Sequence, residues 1–422
     1  MDRVISFCGL FVMLGIAFGM SSARRQINVR LVIGGLLLQF ALALLILKTE
    51  TGHLVFQWLG DRFRSMQDFT EAGTGMMFGI PQSDGPPDLG LLRTLAFGVL
   101  PTIIFFSALM SVLYHLGLIQ IVVRALARVM QFSLGTSGAE TLAAASNVFV
   151  GQTEAPLVIK PYLKNMTQSE LMALMVGGFS TIAGGVLAVY VSFGVDAAHL
   201  MTASVISAPA ALVIAKILTP ETETPETAGQ SIPNIPPASH NLVEAATQGT
   251  TDGLKLALNV AAMLIAFTAL VALADALIGW CGAQYAWLAG QSASGEAPST
   301  TWSLHGLLGY VFAPLAWCLG IPGEDLYAAG QLLGLKTVTN EFLAYQQMTG
   351  SEAPELSERS RVILTYALCG FANFASVGIQ IGGIGALVPE RRTDLARISV
   401  KAMIGGTLAC FMTACIAGVL LG

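Results

Sequence analysis

Residues 140–163, ETLAAASNVFVGQTEAPLVIKPYL, are apolar at both ends and polar at the centre, where Gln152, Thr153 and Glu154 precede Pro156. Each apolar half is about ten residues long, roughly half of what a helix needs to cross a bilayer. Backbone that turns back at membrane depth is tolerated only where protein or a water-filled cavity satisfies its polar groups. The segment therefore predicts a re-entrant helical hairpin whose tip meets a polar site.

A second segment repeats this pattern at residues 325–347, DLYAAGQLLGLKTVTNEFLAYQQ, with Glu341 near its centre. Each predicted hairpin is followed by an apolar stretch that glycine interrupts, GFSTIAG at 178–184 and GFANFAS at 370–376. Gly, Phe and Ala coincide in these two stretches, and Thr181 aligns with Asn373. The order of hairpin and interrupted helix predicts an internal repeat.

The composition places the chain in a membrane. Hydrophobic residues make up 54% of the 422 residues and charged residues only 11%, against roughly 25% charged residues in soluble domains. Segments long enough to span a bilayer lie at 4–20, 31–47, 94–116, 171–195, 198–218, 254–280, 362–388 and 399–421. We predict an all-α polytopic membrane protein with eight transmembrane helices, two re-entrant hairpins, interfacial helices and two discontinuous helices.

The distribution of Lys and Arg predicts the orientation. Most of the 21 Lys and Arg residues fall inside if both the N-terminus and the C-terminus lie outside, as the positive-inside rule requires. The hairpins then enter from opposite faces, which is the inverted repeat typical of secondary transporters. The first apolar segment has an alternative reading as a signal peptide ending near Ala23, but Arg24 and Arg25 follow at once, as they would on the inner side of the membrane after a true span.

The remaining segments divide the chain. Residues 219–240 hold five prolines and three glutamates, which predicts a flexible surface loop. The stretches 55–70 and 298–320 mix apolar and polar residues, which is typical of interfacial helices. We therefore divide the chain into an N-terminal part, a first half, a Pro-rich cytoplasmic linker and a second half. Their bounds are 1–93, 94–218, 219–253 and 254–422.

Several function classes are excluded by what the sequence lacks. The net charge of -5 comes with no basic block, so nucleic acid is not an expected partner. The six cysteines form no CxxC pair and read as small hydrophobic residues. Neither a nucleophile with its base nor a phosphate-binding loop accompanies the glutamates, so we predict that the protein is not an enzyme and has no cofactor.

Glu154 and Glu341 carry the strongest functional signal, because a carboxylate at membrane depth costs at least about 2.5 kcal/mol. The alternative is that each hairpin tip is simply solvated. Gln152, Thr153, Asn373 and Ser376 are neutral hydrogen-bonding groups near the two glutamates in the repeat. Together they suit a polyhydroxyl ligand such as a sugar, although each alone is more typical of an interhelical hydrogen bond.

Asn147 precedes the polar centre of the first hairpin by a few residues. With Thr181 and carbonyls freed by the interrupted helix, its side chain offers an all-oxygen site for a hard monovalent cation. The alternative is a cap that stabilises the hairpin. The sequence thus predicts a ligand site and a cation site close to each other.

The run NVFVGQTEAP at 147–156, TNEF at 339–342 and GFANFAS at 370–376 closely resemble the concentrative nucleoside transporter family. The resemblance extends from about residue 90 to residue 420. It implies a bacterial inner-membrane symporter that imports nucleosides, uridine among them, by alternating access. It also implies a homotrimer in which each protomer has its own path.

The resemblance assigns roles to residues of this chain. On the family pattern, the nucleobase contacts Gln152, Thr153, Glu154 and Val186. The ribose contacts Glu341, Asn373 and Ser376, and Phe371 packs against the ligand. The sodium ligands are Asn147, Thr181 and the carbonyls of Val150 and Ile182.

The coupling ion is where the resemblance leaves alternatives. Thr181 stands where the family pattern has Ser, so the register between Ser180 and Thr181 stays open. The GQTEAP run at 151–156 is typical of the sodium-coupled branch. Proton coupling through Glu154 or Glu341 is the second hypothesis, and a channel or a membrane enzyme is the third.

Overall fold

The computed structural model describes residues 1–79, 95–229, 239–288, 302–351 and 353–421. Seven helices in this part are long and apolar enough to cross a membrane. The helices are α1 (Asp2–Gly19), α2 (Val29–Lys48), α3 (Glu50–Phe78), α4 (Leu100–His115), α5 (Leu118–Leu134), α6 (Gly138–Ser146), α7 (Ala155–Val158), α8 (Gln168–Ser180), α9 (Gly184–Ser192), α10 (Ala197–Leu218), α11 (Leu242–Leu288), α12 (Leu304–Cys318), α13 (Leu326–Val338), α14 (Glu341–Thr349), α15 (Glu358–Leu368), α16 (Phe374–Leu387) and α17 (Arg392–Leu420).

The predicted fold class is confirmed. The predicted span at 362–388 is present as two shorter helices, α15 and α16. The segment predicted as interfacial at 55–70 lies within α3, and the described part of 298–320 contains α12. The sixth predicted span, 254–280, lies within α11, which begins at Leu242 and runs for 47 residues.

Both hairpins are present, and each contains one helix whose N-terminus is capped by a side chain. In hairpin 1, α6 begins with a capping box between Ser137 and Glu140, which satisfies two backbone N–H groups that the helix leaves free. Its returning arm is the single turn of α7 followed by a 3-10 helix, Lys160–Asn165. In hairpin 2 both arms are regular α-helices, and Asn340 caps α14 by accepting from the Leu343 N–H at 2.9 Å.

Two helices are broken where the sequence predicts discontinuity. The break between α8 and α9 covers residues 181–183, and the break between α15 and α16 covers residues 369–373. The predicted one-to-one alignment of the two stretches is wrong, because Gly178 lies inside α8 whereas Gly370 lies within the second break. Gly370 has φ +146, and a Cβ there would come within 2.8 Å of the Phe179 carbonyl. The two broken helices therefore approach each other closely at a glycine.

The centre of the molecule is built from α8, α10 and α17, whose side chains are buried over most of their length. Small residues allow this close packing. A Cβ at Gly406 would lie 2.3 Å from the Cβ of Phe179. On another side of the molecule α11 packs against α4 through Gly249 and Gly253, each close to the α4 backbone. Broken helices and hairpins lie between these elements.

The first part of the predicted linker is ordered against hairpin 1, so the expectation of a flexible surface loop is wrong for residues 219–229. Thr227 is 2% exposed, and its hydroxyl accepts from the Ala139 N–H at 3.0 Å. Glu221 accepts from the Thr167 hydroxyl at 2.9 Å and from the Lys216 ammonium at 3.2 Å. The rest of the predicted loop, residues 230–238, lies outside the described residues.

Candidate functional site

A cavity of about 330 Å³ lies between the two hairpin tips, the two helix breaks and α11. All eight residues predicted to contact the substrate line it. They are Gln152, Thr153, Glu154, Val186, Glu341, Phe371, Asn373 and Ser376. Residues more than 200 positions apart in the sequence are thus brought to one site, as the repeat pattern predicts. The role of each residue toward a ligand stays a prediction.

Glu341 is the most tightly held group in the cavity wall. It begins α14 and is 5% exposed. The Tyr190 hydroxyl donates to one carboxylate oxygen at 2.8 Å, and the Asn373 amide donates to the other at 2.8 Å. Asn373 also caps α16 by accepting from the Ser376 N–H. One asparagine therefore fixes both the start of the second broken half-helix and the orientation of the carboxylate.

The first hairpin reaches the cavity through Gln152 and Glu154. The Gln152 amide donates to the Ser376 hydroxyl at 3.4 Å, and Gln380 donates to the Gln152 oxygen at 3.0 Å. Gln380 also donates to the Met175 carbonyl, so it joins hairpin 1 and α8 to α16. Glu154, in contrast, lines the cavity as an exposed residue, and its carboxylate accepts only from its own hairpin tip, from Thr153 and from backbone N–H groups. The two carboxylates thus have different surroundings: Glu341 is held by two other helices, and Glu154 is held within its own hairpin.

Sequence reasoning missed several lining residues, among them Tyr190, Asn259 and Met263. Tyr190 lies in an apolar run, and Asn259 lies on a long helix far from either hairpin in the sequence. Gln380 carries a weak signal, since it is a single amide within the otherwise apolar α16. An internal repeat reveals residues that both halves share. The missed residues have no counterpart in the other half, so the repeat does not reveal them.

The predicted cation site joins the tip of hairpin 1 to the end of α8. Asn147 is 1% exposed, and neither its amide oxygen nor its amide nitrogen has a hydrogen-bond partner. A Cβ on Gly177 would lie 3.1 Å from the Asn147 amide nitrogen, so the tip and the helix end touch. Buried amides almost always have partners. An unpartnered amide oxygen at this place is what an all-oxygen cation site would contain.

The other predicted sodium ligands lie on the same two elements. Thr181 is 2% exposed, and its hydroxyl donates to the Gly177 carbonyl at 2.9 Å, which leaves its oxygen lone pairs free to accept. Ser180 donates to the same carbonyl at 3.2 Å, so both registers remain available. Val150 belongs to the tip and Ile182 to the break. Among the described residues no cluster of His, Cys, Asp or Glu suits a metal ion.

A second cavity of about 190 Å³ lies between hairpin 1, α4 and α11. Glu154 and Asp252 line both cavities, and Val150 lines the second. The tip of hairpin 1 therefore separates two spaces, and its carboxylate faces both of them.

Two opposed hairpins, two broken helices and a polar cavity between them define the fold of a secondary transporter. The chain belongs to the Na+-dependent nucleoside transporter family. The C-terminal profile of this family matches residues 199–418, and its N-terminal profile matches residues 8–80. A profile described as nucleoside recognition matches residues 96–197. The predicted resemblance is confirmed, and because the family consists of transporters, so is the prediction that the protein is not an enzyme.

Individual relatives agree with this assignment. Solute carrier family 28 member 3 of Homo sapiens is 41% identical over 99% of this chain and 60% of its own length. Sodium/nucleoside cotransporter 1 of Rattus norvegicus is 41% identical over 99% of this chain and 64% of its own length. The chain thus spans about three fifths of these longer relatives. An uncharacterized transporter of Haemophilus influenzae is 42% identical over 100% of this chain and 99% of its own length.

Solved structures share the whole fold. CNTnw in an inward-facing substrate-bound state matches with a TM-score of 0.87 at 37% identity, covering 99% of both chains. A double variant of CNTnw in an outward-facing state matches with a TM-score of 0.89 at 36% identity, covering 100% of this chain and 99% of that one. This chain is therefore similar to a transporter seen in both alternating-access states.

Proposed function

We propose that the protein is a sodium-coupled symporter that imports nucleosides by alternating access. The observation that carries this proposal is the single cavity enclosed by both hairpin tips and both helix breaks, with the unpartnered Asn147 amide beside it. The family match supports the same activity. Sodium is the coupling ion and the nucleoside is the cargo, and no other cofactor is needed.

The cavity wall offers the groups that a nucleoside requires. Glu341 has acceptor oxygens for ribose hydroxyls, with Asn373 and Ser376 beside it. Gln152, Thr153 and Glu154 offer both donors and acceptors to the edge of a base, while Val186 and Phe371 offer apolar surface. The cavity volume suits a molecule of this size.

Coupling follows from the position of the cation site. Sodium bound at Asn147, Thr181 and the carbonyls of Val150 and Ile182 would fix the tip of hairpin 1 against the end of α8. Gln152, Thr153 and Glu154 follow on that tip, so the ion would order the residues that meet the base. A coupling of this kind requires each ligand to favour the state that binds the other.

The surroundings of the protein follow from the same proposal. The chain is a multi-pass membrane protein, and we place it in a bacterial inner membrane with both termini outside. We place it there as a homotrimer, since the exposed apolar faces of α1, α2 and α11 need lipid or another copy to cover them.

The deciding experiment measures radiolabelled uridine uptake into proteoliposomes under an imposed sodium gradient and, separately, a proton gradient. Saturable accumulation under the sodium gradient alone is the expected result. Accumulation under the proton gradient alone would keep the cargo and move coupling to Glu154 or Glu341. Uptake that never exceeds equilibrium would indicate a channel, and no uptake by folded protein would contradict the proposal.

A further inference from the structure

Lys336 is a buried charge that the proposed transport mechanism does not use. It lies in the last turn of α13, in the first arm of hairpin 2, and is 1% exposed. Its ammonium donates to the carbonyl of Ala367 at 2.8 Å. Burying an ammonium is expensive unless surrounding groups compensate it. The burial of this ammonium therefore requires a structural or functional explanation.

The compensation comes from the ends of helices. Ala367 lies at the C-terminal end of α15, where free carbonyls and the helix dipole favour a cation. The Cys410 thiol, within hydrogen-bonding reach of Lys336, donates to the carbonyls of Cys369 at 3.0 Å and Ser180 at 3.6 Å. Ser180 ends α8, so the ammonium lies close to the ends of both broken helices.

The first half of the molecule has a corresponding junction between a hairpin arm and the end of a broken helix, but without a charged side chain in it. There the first arm of hairpin 1 meets the end of α8, and the Asn147 amide lacks a partner. Residues 140–154 contain no Lys or Arg, so a cation at that place has to come from solution. In the second half the cation is part of the chain.

We propose that Lys336 is a built-in cation. Its ammonium fixes hairpin 2 and Glu341 in place, as the coupling sodium would fix the tip of hairpin 1. The comparison with sodium rests on the proposed function. Burial disfavours the charged form of the Glu341 carboxylate, and Lys336, five residues earlier in the chain, is one of the groups that oppose this, together with the hydrogen bonds from Tyr190 and Asn373. Lys336 is a positioning residue: it ties the first arm of hairpin 2 to the C-terminal end of α15 and favours the ionised carboxylate, whose oxygens accept from Tyr190 and Asn373 and would accept from the ribose.

Other titratable groups surround Glu341 but do not replace this charge. Tyr190 faces it from α9, Tyr345 from its own helix, and the thiols of Cys369 and Cys410 from the second break and α17. None of these groups is a cation. Lys255 lines the same cavity from α11, but it is exposed and lies 3.8 Å from Asp252.

The test compares Lys336→Met, which keeps the length of the side chain and removes its charge, with Lys336→Arg, which keeps the charge. Equilibrium binding of uridine and of 3′-deoxyuridine to purified protein is measured at saturating sodium, from mildly acidic to mildly alkaline pH. The Met variant should bind uridine roughly tenfold to hundredfold more weakly, with the larger loss at acidic pH. Its preference for uridine over the deoxy compound should shrink, and Arg should restore most of both.

Tyr345→Phe is the matched control, because it removes a buried hydroxyl that donates to the Thr365 carbonyl within the same region and changes no charge. It should leave the pH profile and the sugar preference unchanged. A Met variant that binds both compounds like the wild type at every pH would overturn the inference while leaving the proposed function intact. Wild-type protein that binds no uridine would instead contradict the proposed function. Should Met not give folded protein, Lys336→Gln takes its place in the same comparison.

Discussion

Hairpin 1 and hairpin 2 face the same cavity, but they differ in the regularity of their helical arms and in how their carboxylates are held. Hairpin 2 has two regular helical arms, a carboxylate held by Tyr190 and Asn373, and a lysine within its own sequence. Hairpin 1 returns through a single α-helical turn and a 3-10 helix, and its Glu154 is held only by groups of its own tip. Under the proposed function, hairpin 2 would be in place before a ligand arrives, and hairpin 1 would be completed by the ion and the nucleoside.

This difference suits coupled transport. A site that is fully ordered beforehand binds tightly but gives a second ligand nothing to control. A half that stays incomplete until sodium arrives lets the ion govern access of the nucleoside. Under the proposed function, hairpin 2 would then provide affinity and hairpin 1 would provide coupling. Variants that disturb one hairpin therefore show whether the other hairpin responds.

The largest effect is expected from Glu341→Gln. The variant loses the charge and one of the two acceptor oxygens, and it leaves the Tyr190 hydroxyl or the Asn373 amide without a partner. Unmet buried hydrogen bonds to a charged group cost about 3 kcal/mol, which corresponds to roughly hundredfold weaker binding. Uridine affinity at saturating sodium measures this loss. The exposed Glu355 is the control position, and a Glu355→Gln variant should bind normally; unchanged affinity in Glu341→Gln would remove Glu341 from the site.

Asn147→Ala should affect the other half. Removing the amide oxygen should lower the apparent sodium affinity about tenfold and reduce sodium-driven uridine uptake along with it. Uptake measured against sodium concentration shows both effects in one curve. Asn165→Ala is the matched control, since Asn165 is an exposed asparagine at the base of the same hairpin, bonded to Glu226. Normal, sodium-dependent uptake by Asn147→Ala would place the cation elsewhere.

Asp325→Asn tests what holds the base of hairpin 2. Burial disfavours the Asp325 carboxylate, but hydrogen bonds from Ser357 and Ser360 outweigh this and hold its pKa below the usual range. A group whose pKa is lower in the folded state stabilises the protein above its unfolded pKa, and this contribution is lost as the pH falls through the folded pKa. We expect the variant to be less stable by about 1–2 kcal/mol at neutral pH.

Thermal unfolding in detergent, compared at neutral and acidic pH, measures the Asp325 effect. The difference between wild type and variant should shrink as the pH falls, because the wild-type carboxylate is then protonated too. Glu324→Gln, a change at the exposed neighbouring acid, is the control and should have little effect at either pH. A difference that stays constant with pH would show that the charge of Asp325 is not what matters.

The sequence predicts the repeated features of the fold and not the unrepeated ones. Both hairpins, both helix breaks and six of the eight predicted ligand contacts follow from polar groups at and beside tips inside apolar segments, since a membrane allows such tips only at a site. The other two, Val186 and Phe371, are implied only by the family resemblance. The partners of those residues do not follow. Tyr190 and Gln380 lie in segments that read as ordinary apolar helix, and Lys336 lies in an apolar arm of hairpin 2. Only the packing of distant helices brings these side chains to the residues that line the cavity or to their partners.

The linker shows the opposite error. Residues 219–229 have the composition of a mobile loop, yet Thr227 and Glu221 are bound to hairpin 1 and its neighbours. Composition reports how much apolar surface a segment can bury. Composition does not report hydrogen bonds to the first turn of a neighbouring helix. Here the N-terminal turn of α6 provides such a bond.

A smaller effect than that of Glu341→Gln is expected from Tyr190→Phe, which removes one of the two donors to Glu341 and leaves the Asn373 amide in place. A single hydrogen bond of this kind contributes about 1–2 kcal/mol, so uridine should bind roughly tenfold more weakly, with sodium affinity at saturating uridine almost unchanged. Tyr345→Phe, a buried tyrosine in contact with Tyr190, is the control. If Tyr190→Phe lowered sodium affinity as strongly as uridine affinity, the two halves would share one ordering event, and the division of affinity and coupling between the hairpins would be wrong.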